Sequence, residues 1–232
     1  MNFEAKRKRI SIVLVGEFNP AMFQPEWFAR NDIISVEEAS IAKDSDGAPL
    51  VVTPQITMFK TSMLDVRIEQ KRFSVSCLKE PWDLVKDFVG KTFEKLSGMS
   101  IKAYGYNYDA HYYIGGAETL NSIGNYLAPK QYWGALFEDD INCLESGNGL
   151  SSMKMLKTKA DGKGRVTVMV EPSVHEKDGL FMACNDHNDV SQDENLAEYI
   201  IPQIVESFDT ILTNMRKIQE DVITEVLSNV QK

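Results

Sequence analysis

Apolar and polar positions along this chain recur with two periods, and those periods divide it into elements. Ile10-Ser11-Ile12-Val13-Leu14-Val15 is β-branched and apolar and predicts a buried first strand, broken at Phe18-Asn19-Pro20. Pro25 to Arg30 predicts a short helix, with proline at the first helical position where its missing N–H is harmless. Ser35-Val36-Glu37-Glu38-Ala39 predicts another helical turn, with Ser35 as cap and Glu38 completing a capping box. Lys43 to Pro49 reads as a polar loop. Two strands are expected next, Gln55 to Leu64 and Asp65 to Leu78, the second interrupted at Gln70-Lys71-Arg72. Pro81-Trp82-Asp83 opens a helix whose apolar positions Trp82, Val85, Val89, Phe93 and Leu96 keep helical spacing until Ser97-Gly98.

The remainder of the chain follows the same order. Ile101 to Tyr113 predicts a long strand, and Ala117 to Tyr126 a helix stopped by Pro129, with a further turn or two over Tyr132 to Phe137. Three strands in a meander are expected over Ser151–Lys159, Arg165–Val170 and Leu180–Cys184, turning at Asp161-Gly162 and Lys177-Asp178-Gly179. A long helix from about Glu194 to Val230 closes the pattern. Its stripe is Ile201, Ile204, Phe208, Ile211, Met215, Ile218, Val222 and Val226, and Pro202 marks a kink or the true first turn. Such a helix normally lies across a sheet. The far end of the stripe, Met215, Ile218, Val222 and Val226, is expected to overhang and meet a partner protein or a second copy.

Residues 10–97 thus read strand, short helix, strand, strand, long helix, and residues 100–230 read strand, helix, three strands, long helix. The order repeats although the residues do not. The expected fold is α+β, one domain over 1–232, whose two halves form one curved antiparallel sheet with the long helices on one face. The strand around Phe73 running into the helix from Trp82, the strand Ile101–Asn107 after it, and Val166–Glu171 ahead of a long terminal helix carry a resemblance. The chain resembles the TATA-box-binding-protein-like architecture, and members of an uncharacterised, sporadically distributed bacterial family sharing that order. The resemblance implies the duplicated fold and an accessory role in mobile elements or phage defence, and it brings no catalytic residues. The chain departs from DNA-binding members in lacking a basic sheet surface, so nucleic-acid readout is not expected.

Composition narrows the classes further. The 232 residues carry net charge −9, with 34 acidic against 25 basic, and 25% are charged, which fits an ordinary globular domain. No apolar run reaches the length that spans a bilayer, and the stretch from Ile10 is too short for a signal sequence, so a cytoplasmic protein without membrane contact is expected. The acidic balance argues against nucleic acid as the main partner. Lys6-Arg7-Lys8-Arg9 is the exception. It reads first as a solvated arm ahead of the first strand, and second as a contact to nucleic acid or an anionic partner. Cys77, Cys143 and Cys184 are far apart, contain no Cys-x-x-Cys, and read as buried free thiols.

Catalytic motifs are lacking: there is no P-loop, no dinucleotide fingerprint, no nucleophile elbow and no His-Glu-x-x-His. Gly147 to Ser152 is glycine-rich but precedes a strand. Period two places Tyr104, Tyr106 and Tyr108 on one face, read as core packing, and Gly105, Asn107, Asp109 and His111 on the other. Asn185 and His187 likewise share a face. If the strand ends meet, Asn107, Asp109, His111, Asn185, Asp186 and His187 form a polar cluster. Trp27, Trp82 and Trp133 read as packing anchors. The leading expectation is a non-enzymatic interaction or regulatory protein without a cofactor. A small-molecule binder with a pocket between sheet and helix is the alternative, and a metal-dependent hydrolase using Asp109, His111 and His187 a second.

Overall fold

Strand β1 spans Glu4–Gly16 and is longer than its apolar run. Lys6-Arg7-Lys8-Arg9 therefore lies inside a strand and is not an arm ahead of one. Backbone pairing overrides side-chain preference here: Arg7, Lys8 and Arg9 sit opposite His111, Ala110 and Asp109 of strand β6, Ile101–Tyr113. The computed structural model describes residues 3–44, 50–137 and 148–230. Cys143, Gly147 and most of the expected polar loop after Lys43 lie outside the described residues.

After β1 come a 3-10 turn (Pro20–Met22), helix α1 (Pro25–Arg30) and helix α2 (Val36–Asp44). Ser35 Oγ accepts the Glu38 N–H at 3.1 Å, which is half of the expected capping box. The Glu38 carboxylate does not return to Ser35. It accepts instead from the backbone N–H of Ser62 at 2.8 Å and from its hydroxyl, tying α2 to the sheet. A short strand β2 (Val51–Val52) precedes the region expected to hold two strands, which holds three, β3 (Ile56–Lys60), β4 (Leu64–Glu69) and β5 (Arg72–Cys77). The polar interruption at Gln70-Lys71 is the two-residue turn of a hairpin, with Glu69 opposite Arg72. Helix α3 (Asp83–Glu94) follows.

Past β6 lie α4 (Ala117–Leu127) and a 3-10 stretch, Lys130–Phe137, broken at Gly134. Then come β7 (Met153–Thr158), β8 (Gly164–Pro172), β9 (Leu180–Asp189) and the 34-residue α5 (Ala197–Val230). Strand β9 runs five residues past its expected end because its polar residues are held by ladders to both β6 and β8. The first turn of α5 is capped by the chain after α3: Ala197 N–H donates to Met99 O at 2.8 Å and Glu198 N–H to Ser97 O at 3.1 Å.

The nine strands form one curved, unclosed antiparallel sheet in the order β2-β3-β4-β5-β1-β6-β9-β8-β7. Read outward from the central β1–β6 pair, the order is β5, β4, β3, β2 on one side and β9, β8, β7 on the other. Among the described residues, the helices that touch the sheet do so from one face. Ile10, Ile12 and Leu14 turn to that face and are fully buried, whereas Val13 and Val15 lie on the other side, so the first strand is buried on one face only. Under α3 the core is a phenylalanine cluster in which Phe73 packs on Phe18, Phe23, Phe88 and Phe93.

Under α5 the tyrosine stripe of β6 points up into the helix as core. Tyr106 donates to Ile204 O at 3.0 Å and pairs with Ser207, and Tyr112 donates to Gln219 Oε1 at 2.8 Å. Gln219 is fully buried and donates in turn to Tyr108 O and Met182 O. The buried line of α5 thus runs through Leu212, Met215, Gln219, Ile223, Val226 and Leu227. Met215 and Val226 are buried in the core of this same chain, and Ile218 and Val222 flank the line half-buried against that core. Cys77 and Cys184 are buried free thiols, and burial pushes the Cys184 thiol up to about 12. Trp27 and Trp82 pack against the core; Trp133 is exposed.

Candidate functional site

The register of β6 on β9 decides which of the six polar residues meet. The strands are antiparallel, with Gly105 opposite His187, Asn107 opposite Asn185, and His111 opposite Phe181. His111 and His187 are therefore separated by the span from Gly105 to His111, about 20 Å at roughly 3.3 Å per residue. The two strand ends do not meet, and Asp109, His111 and His187 form no common set. Among the described residues, no group of three His, Cys, Asp or Glu is placed to hold a metal ion.

Each residue has local partners instead. Asn185 Nδ2 donates to Asn107 Oδ1 at 2.8 Å, and Asn107 Nδ2 to Ser11 Oγ at 3.0 Å, a polar row across three strands of the helix-free face. Asp186 turns to the helix face, where it is buried and accepts from Lys159 Nζ at 2.6 Å and Asn188 Nδ2 at 3.0 Å. His187 lies within 3.0 Å of Asp189 beside a hollow of about 180 Å³ over Gly105. Asp109 accepts from Arg9 Nε at 2.9 Å.

His111 is held most elaborately. Its Nδ1 lies 2.8 Å from Ser173 Oγ, and its ring packs on His175 and Phe181 with centroids 4.7 Å away in each case. Ser173 Oγ already accepts the backbone N–H groups of His175 (3.2 Å) and Glu176 (2.8 Å). Its two lone pairs being engaged, the hydroxyl donates its own proton to Nδ1, which leaves His111 neutral with the proton on Nε2. Burial lowers the His111 pKa below the usual histidine value; His175, Arg7 and Arg9 lower it further, and Asp109 opposes them.

This end of the sheet opens into a groove of about 860 Å³. One wall is β1 from Ala5 to Arg9, and the other is Leu78, Lys79, Glu80 and Trp82, the chain leaving β5. His111, Glu171, His175 and Phe181 line its floor from the helix-free face. Alternation sends Arg7 and Arg9 to that face and Lys8 to the helix face. Among the described residues, Arg9 has Asp109 as its partner, whereas Arg7, Lys8 and Lys79 have no carboxylate within ion-pair distance. Behind Trp82, the Arg216 guanidinium lies 5.9 Å from the Trp82 ring and 5.6 Å from Tyr108; its Nη2 is 4.0 Å from Glu80 Oε1, and Nε and Nη2 are buried without a hydrogen-bond partner among the described residues.

Lys79, Trp82, His175, Phe181 and Arg216 were not among the expected site residues. They come from three separate stretches of chain, the segment after β5, the β8–β9 hairpin and α5, and only the fold brings them together. Compared with protein-family models and with curated proteins, the chain matches none.

Proposed function

We propose that this chain is a non-enzymatic interaction protein that binds an anionic partner in the groove between β1 and the Leu78–Trp82 segment. The observation that carries this reading is the set of Arg7, Lys8 and Lys79, cations without carboxylate partners among the described residues, lining one groove in a chain of net charge −9. Elsewhere on the helix-free face, Arg67 is paired with Glu69 and Lys60 with Asp65, so their positive charge is already offset. A groove of this volume falls within the range of ligand clefts, roughly 300–1,000 Å³. His111 adds an Nε2–H donor, and Trp82 an aromatic wall.

A partner meeting α5 through Met215, Ile218, Val222 and Val226 is less favoured by the packing, since Met215 and Val226 are already buried in this chain's own core. The test is calorimetric titration of the full chain with inorganic tripolyphosphate at low salt, followed by Trp82 fluorescence. Saturable binding that weakens about tenfold in an Arg7→Ala/Lys8→Ala/Lys79→Ala variant of unchanged Tm supports the reading. Equal binding by that variant, or none by the native chain, overturns it.

A further inference from the structure

The groove lies against an unfinished sheet edge. Strand β5 pairs with β1 only from Ile10 to Val15, yet β1 continues back to Glu4 along β6. On the β5 side, alternate residues of Glu4–Arg9 therefore present backbone N–H and C=O groups with no backbone partner among the described residues. The chain that leaves β5 is turned away from the gap just after the last pair. The Cys77 thiol donates to Lys79 O, and Leu78 is left exposed beside the groove. A row of free backbone groups next to an open groove is the arrangement to which a further strand adds.

Resting on the anionic-groove reading, we propose that the partner is an extended acidic peptide segment that adds as a strand to the free edge of β1 at Glu4–Arg9. Charge selects this occupant. An added strand alternates its side chains between the two faces, and β1 offers Arg7 on one face and Lys8 on the other, with Lys79 across the groove. Acidic residues on either face of the incoming strand thus meet a cation. A second copy of this chain is disfavoured, because edge-to-edge pairing would set Lys6-Arg7-Lys8-Arg9 against itself. The span from Glu4 to Arg9 is about 17 Å of extended chain at roughly 3.3 Å per residue, room for a segment of ordinary strand length.

The experiment uses the full chain and three probes: a twelve-residue peptide alternating Glu and Val, the same peptide N-methylated at every second amide, and inorganic tripolyphosphate. Strand addition requires that the plain peptide bind at least tenfold more tightly than its better-binding N-methylated register. It also requires that hydrogen exchange slow at alternate amides of Glu4–Arg9 on binding, and that an Arg7→Ala/Lys8→Ala variant lose both effects. If both peptides and tripolyphosphate bind alike, the anionic groove stands and strand addition is overturned. If no probe binds at millimolar concentration, both readings fall. If a single-stranded oligonucleotide binds more tightly than the peptide and depends on Arg7 and Lys8, the partner class is nucleic acid and the peptide proposal is overturned.

Discussion

The two sides of the central β1–β6 pair both continue as antiparallel strands, four beside β1 and three beside β6, but their first strands cover the pair to different extents. On one side β9 covers β6 from Ala103 to Tyr112, almost its whole length. On the other, β5 covers β1 only from Ile10 to Val15. The longer strand leaves no room for a site along its edge, and the shorter one leaves the groove. Their cores differ as well. Under α3 the packing is phenylalanine on phenylalanine, whereas under α5 it is tyrosine hydroxyls and Gln219 bonded across the helix–sheet interface. One half is held by shape, which tolerates gaps at its rim. The other is held by a polar network that must be complete.

The sharpest way to break this contrast is to damage each core in turn. Phe73→Ala empties a fully buried ring among four other phenylalanines and is expected to cost about 3–5 kcal/mol. Thermal unfolding should show Tm lower by roughly 6–20 °C, at about 2–4 °C per kcal/mol for a chain of this size. A loss under 1 kcal/mol would mean that the ring is not a core anchor. Gln219→Leu keeps bulk but leaves the Tyr112 hydroxyl without its acceptor, at a cost of about 1–3 kcal/mol. Amide exchange should then quicken in α5, β6 and β9 while β4 and β5 hold. Uniform quickening over both halves would show that the network is not confined to one of them.

Much of this architecture is legible in the sequence, and the misses share a cause. Ile101–Tyr113 and the terminal helix follow from periodicity, because each buries a face that repeats at the period of its own element, and α1 follows from proline at its first position. Side-chain patterning does not register backbone pairing. It therefore stops the first strand at Ile10 and β9 at Cys184, where polar residues continue ladders that only their neighbours impose. Gln219 was passed over for the same reason: hydrophobic counting skips the residue at the centre of the α5 interface and favours Ile218 and Val222 beside it. The expected polar cluster failed on strand direction. Asn107 and Asn185 do meet, but antiparallel pairing carries His111 and His187 apart, and period two sends Asp186 to the opposite face from Asn185. The groove could not be read at all, since its walls depend on where β5 stops relative to β1.

Below these structural effects comes the groove itself. Arg7→Ala/Lys8→Ala removes two side chains that have no carboxylate within ion-pair distance among the described residues, so stability should move by less than about 0.5 kcal/mol. Tripolyphosphate affinity should nevertheless fall several-fold, and most at low salt, because the lost attraction is one that salt screens. An equivalent pair of changes on the other side of the sheet, Arg165→Ala with Lys154→Ala, should leave that affinity within twofold. If the two pairs weaken binding equally, the anion is drawn by overall charge and the unfinished edge has no special part in it.

The smallest effect tests the chemistry of the groove floor through pH. His111 faces Arg7 and Arg9 on β1, Asp109 on its own strand, Glu171 on β8, and His175 with the Ser173 hydroxyl in the β8–β9 turn. Its folded pKa lies below the unfolded value, burial being the main cause, so the native state resists protonation. As pH falls from about 6.5 toward the lower folded pKa, the unfolded chain takes up a proton that the folded chain refuses, and the free protein loses stability in that window. An anion beside Arg7 favours the imidazolium and raises the pKa, so binding takes up a proton. Tripolyphosphate affinity, compared at matched ligand charge, should therefore rise a few-fold between pH 7.5 and 5.5. A His111→Gln variant should lose the rise while keeping the affinity measured at pH 7.5. Following the His111 ring by NMR separates causes. If its pKa stays put when tripolyphosphate saturates the groove, the anion does not sit over His111, and the floor of the site lies closer to Lys79 and Trp82.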